Sequence, residues 1–172
     1  MKTKRLVTDA LCAAIYVVLA NLVGLSLGPI KLSLDGFPIL LGAVLFGPLD
    51  GFIIGFLGNF ISQLLGAYGL SATTVLWCLP PAVLGLTAGL GAKKLGGQAM
   101  KLKSIGLVVF VCLLIDTTLT TGVMWVDCLV YKYSFVTYAP YIVWRYAADV
   151  IKAIVYALLL PPVARAIRKE YR

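Results

Sequence analysis

Three charged side chains interrupt an apolar run near the carboxyl end of this 172-residue chain. From Tyr141 to Val163 the residues are mostly Ile, Val, Ala, Leu and aromatics, yet Arg145, Asp149 and Lys152 fall among them. Spacings of four and three put all three on one helix face. A charge at membrane depth costs about 2.5–3.5 kcal/mol on insertion scales, so such residues face a cavity, a partner charge or a ligand. Arg145 offers a rigid fork of donors, suited to a carboxylate or to the oxygen and nitrogen edge of a ring. Asp116, with Thr120 four residues on, lies in the preceding apolar run. Asp116 with Lys152 suits a structural ion pair, whereas Arg145 has no second carboxylate at its own height. Upstream, Asn59 and Gln63 are four apart and share a face with Phe52 and Phe56. Thr73, Thr74 and Trp77 repeat that spacing. This chemistry is hydrogen bonding and flat contact to a small polar molecule.

It is not catalysis. The chain has no His, and its one Glu, Glu170, is near the carboxyl end. A serine/histidine intramembrane protease and a His/Glu metalloprotease are therefore excluded. Asp116 and Asp149 sit in no aspartyl-protease motif. The four cysteines, Cys12, Cys78, Cys112 and Cys128, have no metal-ligand spacing and read as buried small hydrophobes. No cofactor or metal is expected, and no Gly-x-x-x-x-Gly-Lys-Ser/Thr phosphate loop occurs. A net charge of +8 raises the question of nucleic acid. The basic residues cluster at the ends and in one loop, as membrane topology requires, and no nucleic-acid partner is expected.

The elements that position these residues are membrane helices. The chain is 61% hydrophobic and 13% charged, with a mean hydropathy of +0.98. A soluble domain is nearer about 45–50% apolar and about 25% charged. Six apolar segments can be drawn, at about 5–27, 36–47, 50–65, 72–91, 105–130 and 141–167. The expectation is an all-α integral membrane protein, a single six-helix bundle over residues 1–172. Segments two and three are short for a span, which needs about 20 residues, and their Gly and Pro predict tilt or breaks. Lys2, Lys4 and Arg5, then Lys93, Lys94, Lys101 and Lys103, then Arg165, Arg168, Lys169 and Arg172, fall on one side if the chain crosses six times. That side is cytoplasmic by the positive-inside rule, so both termini are expected there. The first apolar run outlasts a signal-peptide core, so no cleaved leader is expected.

Rise along each helix gives depth. Asn21 comes out roughly 24 Å and Gln63 roughly 18 Å from the cytoplasmic end, with Trp77, Thr120 and Asp149 near 22–24 Å. Arg145 lies near 30 Å, and Asp116 and Lys152 near 17–20 Å. The polar groups thus gather in the outer half, as a pocket opening outward. Lys31 and Asp35 stand in the first outer loop; Tyr131, Tyr133, Phe135 and Tyr138 in the third can form a lid over a flat ligand. The expected substrate contacts are Asn21, Lys31, Asn59, Gln63, Thr74, Trp77, Thr120, Tyr138, Arg145 and Asp149. Ala10-x-x-x-Ala14 and the trio Gly51, Gly55 and Gly58 mark close-packing faces.

The chain resembles the substrate-binding S component of an energy-coupling factor (ECF) vitamin transporter. The resemblance rests on the basic start, six segments, Ala10-x-x-x-Ala14, and the block Leu34-Asp35-Gly36-Phe37-Pro38-Ile39-Leu40-Leu41-Gly42 continuing to Leu45-Phe46-Gly47-Pro48. It implies capture of a water-soluble vitamin at the outer face of a prokaryotic plasma membrane. It also implies a partnership with one transmembrane coupling subunit, which Ala10 and Ala14 touch, and two ATPase subunits that carry the ATP chemistry. The pattern is nearest the folate and pantothenate branches. Pro140 to Lys152 is similar to the arginine-bearing last helix of the folate branch, while Leu70 to Trp77 departs from it. A folate-type substrate is the first expectation, pantothenate or another vitamin the second, and a purely structural membrane subunit the alternative in kind.

Overall fold

The computed structural model describes residues 2–22, 25–27, 30–66, 69–96, 101–132 and 134–170. The helices are α1 Lys2–Leu22, α2 Gly36–Phe46, α3 Pro48–Leu65, α4 Thr74–Leu95, α5 Leu102–Tyr131 and α6 Ala139–Glu170. Two short strands, β1 Leu25–Leu27 and β2 Ile30–Leu32, pair antiparallel between α1 and α2. A 3-10 turn, Phe135–Thr137, precedes α6. The protein is thus helical, with one small hairpin that the sequence reading did not anticipate. The first helix ends at Leu22 rather than near residue 27, because Leu25 to Leu27 are spent on β1.

Five helices are long and apolar enough to cross a bilayer, and α2 is not. Its 11 residues rise only about 16 Å, half a hydrocarbon core. The six expected helices are present: α2 is short as expected, whereas α3, also expected to be short or broken, runs unbroken over 18 residues and is long enough to span. Composition explains α2: Gly36 and Pro38 to Ala43 are all buried, so it is a core element enclosed by its neighbours. Ile39 and Leu40 are fully buried and pack with Ile54, Ile105, Val109, Tyr156 and Leu160. Leu6, Val7, Leu107, Trp125, Val143, Trp144, Ile151 and Leu158 point away from this core. Exposed apolar side chains all around the long helices suit lipid and not water.

α2 turns into α3 at Gly47, whose φ of 119° favours glycine, and Pro48 starts the next helix where its missing N–H costs nothing. α3 then lies backbone to backbone on α4. A Cβ at Gly51 would stand 2.6 Å from Gly85 O, and one at Gly55 2.2 Å from Pro81 O. Without a hydrophobic drive between helices in lipid, such close approach is what holds them. The expected packing role of Gly51 and Gly55 is therefore seen, and Gly58 packs on Tyr16 of α1.

Both chain ends lie at one end of the bundle. Arg5 donates from Nε to Asp50 Oδ1 at 2.8 Å, forms an ion pair with Oδ2, and donates to Phe46 O at 3.0 Å. Arg168 of α6 borders the same region as Phe46, Pro48 and Lys93. The opposite end carries the hairpin, the α3–α4 connection and the α5–α6 connection.

Candidate functional site

Every helix contributes to one polar cavity of about 300 Å³. Tyr16 comes from α1, Asn59 from α3, and Trp77, Pro80, Pro81 and Leu84 from α4. Leu113, Asp116 and Thr120 come from α5, and Arg145, Lys152 and Tyr156 from α6. Ser33, Asp35, Gly36 and Ile39 close the side formed by α2 and the segment before it. Helical spacing creates each stripe: three and four for 113, 116 and 120 on α5, and seven and four for 145, 152 and 156 on α6.

The cavity holds two carboxylates and two cations in a bundle suited to lipid. Among the described residues no ion pair within 4.0 Å joins Asp35 or Asp116 to Arg145 or Lys152. The expected Asp116–Lys152 pair is therefore not closed; both side chains line the same space. Opposite charges that share a cavity without neutralising each other at contact leave both sets of groups available to a bound molecule.

Proline explains one edge of the site. Pro81 has no N–H to give to Trp77 O four residues back, so that carbonyl loses its helical partner. Asn59 Nδ2 donates to Trp77 O at 2.6 Å and replaces it. Asn59 Oδ1 accepts from the Tyr16 hydroxyl at 3.2 Å. Asn59 thus lines the cavity, but its polar atoms tie α1, α3 and α4 together.

Trp77 also borders a second chamber of about 760 Å³ toward the loop end, lined by Gln63, Gly69, Leu70, Ser71, Met124, Asp127, Tyr131 and Tyr138. Asp127 Oδ1 accepts from Thr73 Oγ1 at 2.5 Å and from Trp77 Nε1 at 3.3 Å, which fixes the indole between the chambers. Tyr131 OH accepts from Ala72 N–H at 3.2 Å. A third hollow of about 510 Å³ lies at the terminal end, where Lys93 and Arg168 meet mostly apolar residues and backbone. Among the described residues it brings no acid together with its cations.

Of the residues expected from the sequence, Asn59, Trp77, Thr120 and Arg145 line the polar cavity. Gln63 and Tyr138 line the second chamber instead. Three face elsewhere. Asn21 is exposed and donates to Ser62 Oγ at 2.9 Å and to Val17 O at 3.0 Å. Thr74 is buried at the start of α4, where its Oγ1 accepts from Ser71 N–H at 2.8 Å. Asp149 is 2% exposed and turns to α5, accepting from Thr117 Oγ1 at 2.5 Å. The side chain of Lys31, and Tyr133 of the expected lid, lie outside the described residues. Ala10 and Ala14 are exposed on α1 beside Leu6, Val7, Leu11, Ile15 and Val18. Tyr16, Ser33, Gly36, Lys152 and Tyr156 were not named as contacts. Lys152 and Tyr156 continue the spacing that begins at Arg145, and that spacing was the available signal. The four cysteines are buried and unpaired, and no group of three potential metal ligands occurs among the described residues.

A bundle of this shape, with a polar cavity lined by all six helices and a lipid-suited exterior, defines an integral membrane protein built around a polar cavity. The family model described as "ECF-type riboflavin transporter, S component" matches residues 1–169, and the chain belongs to that family. It is a transporter subunit and not an enzyme. An S component of a bacterial ECF transporter shares the fold, with a TM-score of 0.67 at 19% identity, over 100% of this chain and 99% of that one. A UPF0397 protein of Lactobacillus johnsonii is 37% identical over 97 residues, 55% of this chain and 51% of that protein. One from Lactobacillus gasseri is 36% identical over the same length. The match spans about half the length of these curated relatives. The family is described by riboflavin; the expected folate or pantothenate branch is not confirmed.

Proposed function

We propose that this chain is the substrate-capture subunit of an ATP-driven ECF importer, and that the polar cavity lined by all six helices holds a water-soluble vitamin with a flat heterocycle. The observation that carries the reading is the set Asp35, Asp116, Arg145 and Lys152 around one cavity with no closed ion pair among them. Such a site suits a ligand with an N–H edge for the acids and a carbonyl or carboxylate for the bases. The neighbouring chamber beyond Trp77 leaves room for a tail. A folate-type compound meets both conditions and leads. Riboflavin, also a flat ring with a tail, is the second reading, favoured by the family description. Pantothenate has no ring for Trp77 and ranks third.

In this proposal the loop end faces outward and both termini are cytoplasmic; outside labelling of a cysteine at position 2 in intact cells would contradict that. A transmembrane coupling subunit docks on the Ala10 and Ala14 face, and two ATPase subunits supply the energy. The single domain spans residues 1–172. The ligand assignment is tested by thermal shift of the purified protein with folic acid, riboflavin and pantothenate. Folic acid is expected to raise the midpoint most, and no response to any of the three would overturn the vitamin reading.

A further inference from the structure

We infer that Asp127 is a positioning residue for capture: it acts on the ligand through Trp77, holding the indole as the flat wall between the polar cavity and the outer chamber. The inference rests on the vitamin reading above and says what sets the affinity for a ring.

Trp77 lines both spaces, and among the described residues no other does. A ring in the polar cavity with its tail in the chamber therefore runs past the indole. Trp77 is half-buried, so it is presented to that space and not sealed in the core.

Every polar group of Trp77 is bonded. Its N–H donates to Thr73 O at 3.1 Å, its carbonyl accepts from Asn59 Nδ2 at 2.6 Å, and its Nε1 donates to Asp127 Oδ1 at 3.3 Å. The same carboxylate oxygen accepts from Thr73 Oγ1 at 2.5 Å. Thr73, Trp77 and Asp127 thus close a ring of three hydrogen bonds between α4 and α5. Thr73 stands at the N-cap of α4, where a threonine hydroxyl ordinarily accepts from a first-turn N–H. It makes no capping bond, and its hydroxyl goes to Asp127. The helix forgoes its cap to fix the carboxylate that fixes the indole. Tyr131, one turn beyond Asp127, ties the same helix ends again by accepting from Ala72 N–H at 3.2 Å.

A tryptophan that needed only a partner for its N–H would be served by any acceptor. Here the acceptor is itself anchored, and the indole borders a space on each side. A flat wall already held in place costs a ligand less to meet than one that must be ordered on binding.

The test is calorimetric titration of the full chain in detergent, with folic acid and with riboflavin as probes. Asp127→Leu removes the acceptor at similar volume and is expected to weaken binding of the probe that the wild type takes by about threefold to tenfold. Asp127→Asn keeps an oxygen that accepts from both donors and should stay within about twofold of the wild type. Trp77→Phe keeps a flat ring without the N–H. In that background Asp127→Leu should add no more than about a 1.5-fold loss, because the group it acts through has no bond left to lose. Thr73→Val, which frees the carboxylate while leaving Asp127 and Trp77 in place, should weaken binding by about twofold to fivefold, and it decides the matter if Asp127→Leu does not fold. Wild-type affinity in Asp127→Leu or in Thr73→Val overturns the inference. So does an equal loss in Asp127→Asn and Asp127→Leu, which marks a charge read by the ligand and not a position. An equal cost of Asp127→Leu with and without the indole N–H overturns it too. A wild type that binds neither probe removes the vitamin reading itself and the inference with it.

Discussion

Asn59 supplies the sharpest test of how the site wall is built. Removing its side chain as Asn59→Ala deletes the 2.6 Å bond to Trp77 O and the 3.2 Å bond from Tyr16. Hydrogen bonds between membrane helices average about 0.6 kcal/mol and reach about 1.7, so the pair is worth about 1–3 kcal/mol. For a chain of this size that lowers a melting midpoint by about 2–10 °C. The physical cause is specific, because Trp77 O lacks its helical donor only where position 81 is proline. Pro81→Ala restores an N–H to that carbonyl. In the Pro81→Ala background, Asn59→Ala should therefore cost only the Tyr16 bond, and the double-mutant cycle should show a coupling of about 0.5–1.5 kcal/mol. Thermal unfolding in detergent, read by intrinsic fluorescence, measures all four proteins. Equal cost of Asn59→Ala in both backgrounds would refute the reasoning. So would an Asn59→Ala protein of unchanged stability that binds ligand weakly, since Asn59 would then serve the ligand and not the helices.

Thr117→Val strips the donor from the buried Asp149 carboxylate and should lower stability by about 1.5–3 kcal/mol while leaving ligand affinity within about twofold, as thermal shift and calorimetry will report. Gly55→Leu forces a side chain into Pro81 O and should leave the protein aggregated on size exclusion, whereas Gly122→Ala, with nothing within 4 Å of its Cβ, should behave as wild type. Ala10→Trp and Ala14→Trp should keep ligand binding and lose uptake in a reconstituted complex, because bulk on that exposed face blocks close helix approach. Full uptake by both variants would remove the docking role.

Much of the fold was legible because bilayer thickness writes long apolar runs into the sequence. Segments two and three both looked short for a span; α2 is a buried core helix, whereas α3 is an unbroken 18-residue helix long enough to cross. The hairpin escaped notice because Leu-Ser-Leu and Ile-Lys-Leu are only three residues each and sit beside an apolar helix. For the site, rise along a helix gives height but not rotation about its axis. Arg145, Thr120 and Trp77 had the right height and the right face. Asn21 and Asp149 had the height and the wrong face, one meeting Ser62 and the other Thr117. Thr74 was spent on starting α4. Tyr156 was missed because an aromatic in an apolar run reads as core, which it is, although it also borders the cavity.

Arg145 decides whether the cavity is a capture site. It is half-buried, lines the cavity from the loop end of α6, and lies within 4.0 Å of no described carboxylate. A charged hydrogen bond to the ligand is worth about 1.5–3 kcal/mol. Calorimetric titration of folic acid into the wild type and a monodisperse Arg145→Ala protein is the direct measurement. Binding to the wild type and about a tenfold to hundredfold loss in the variant are expected. Equal affinity in the two proteins, measured with the variant well folded, would contradict this expectation.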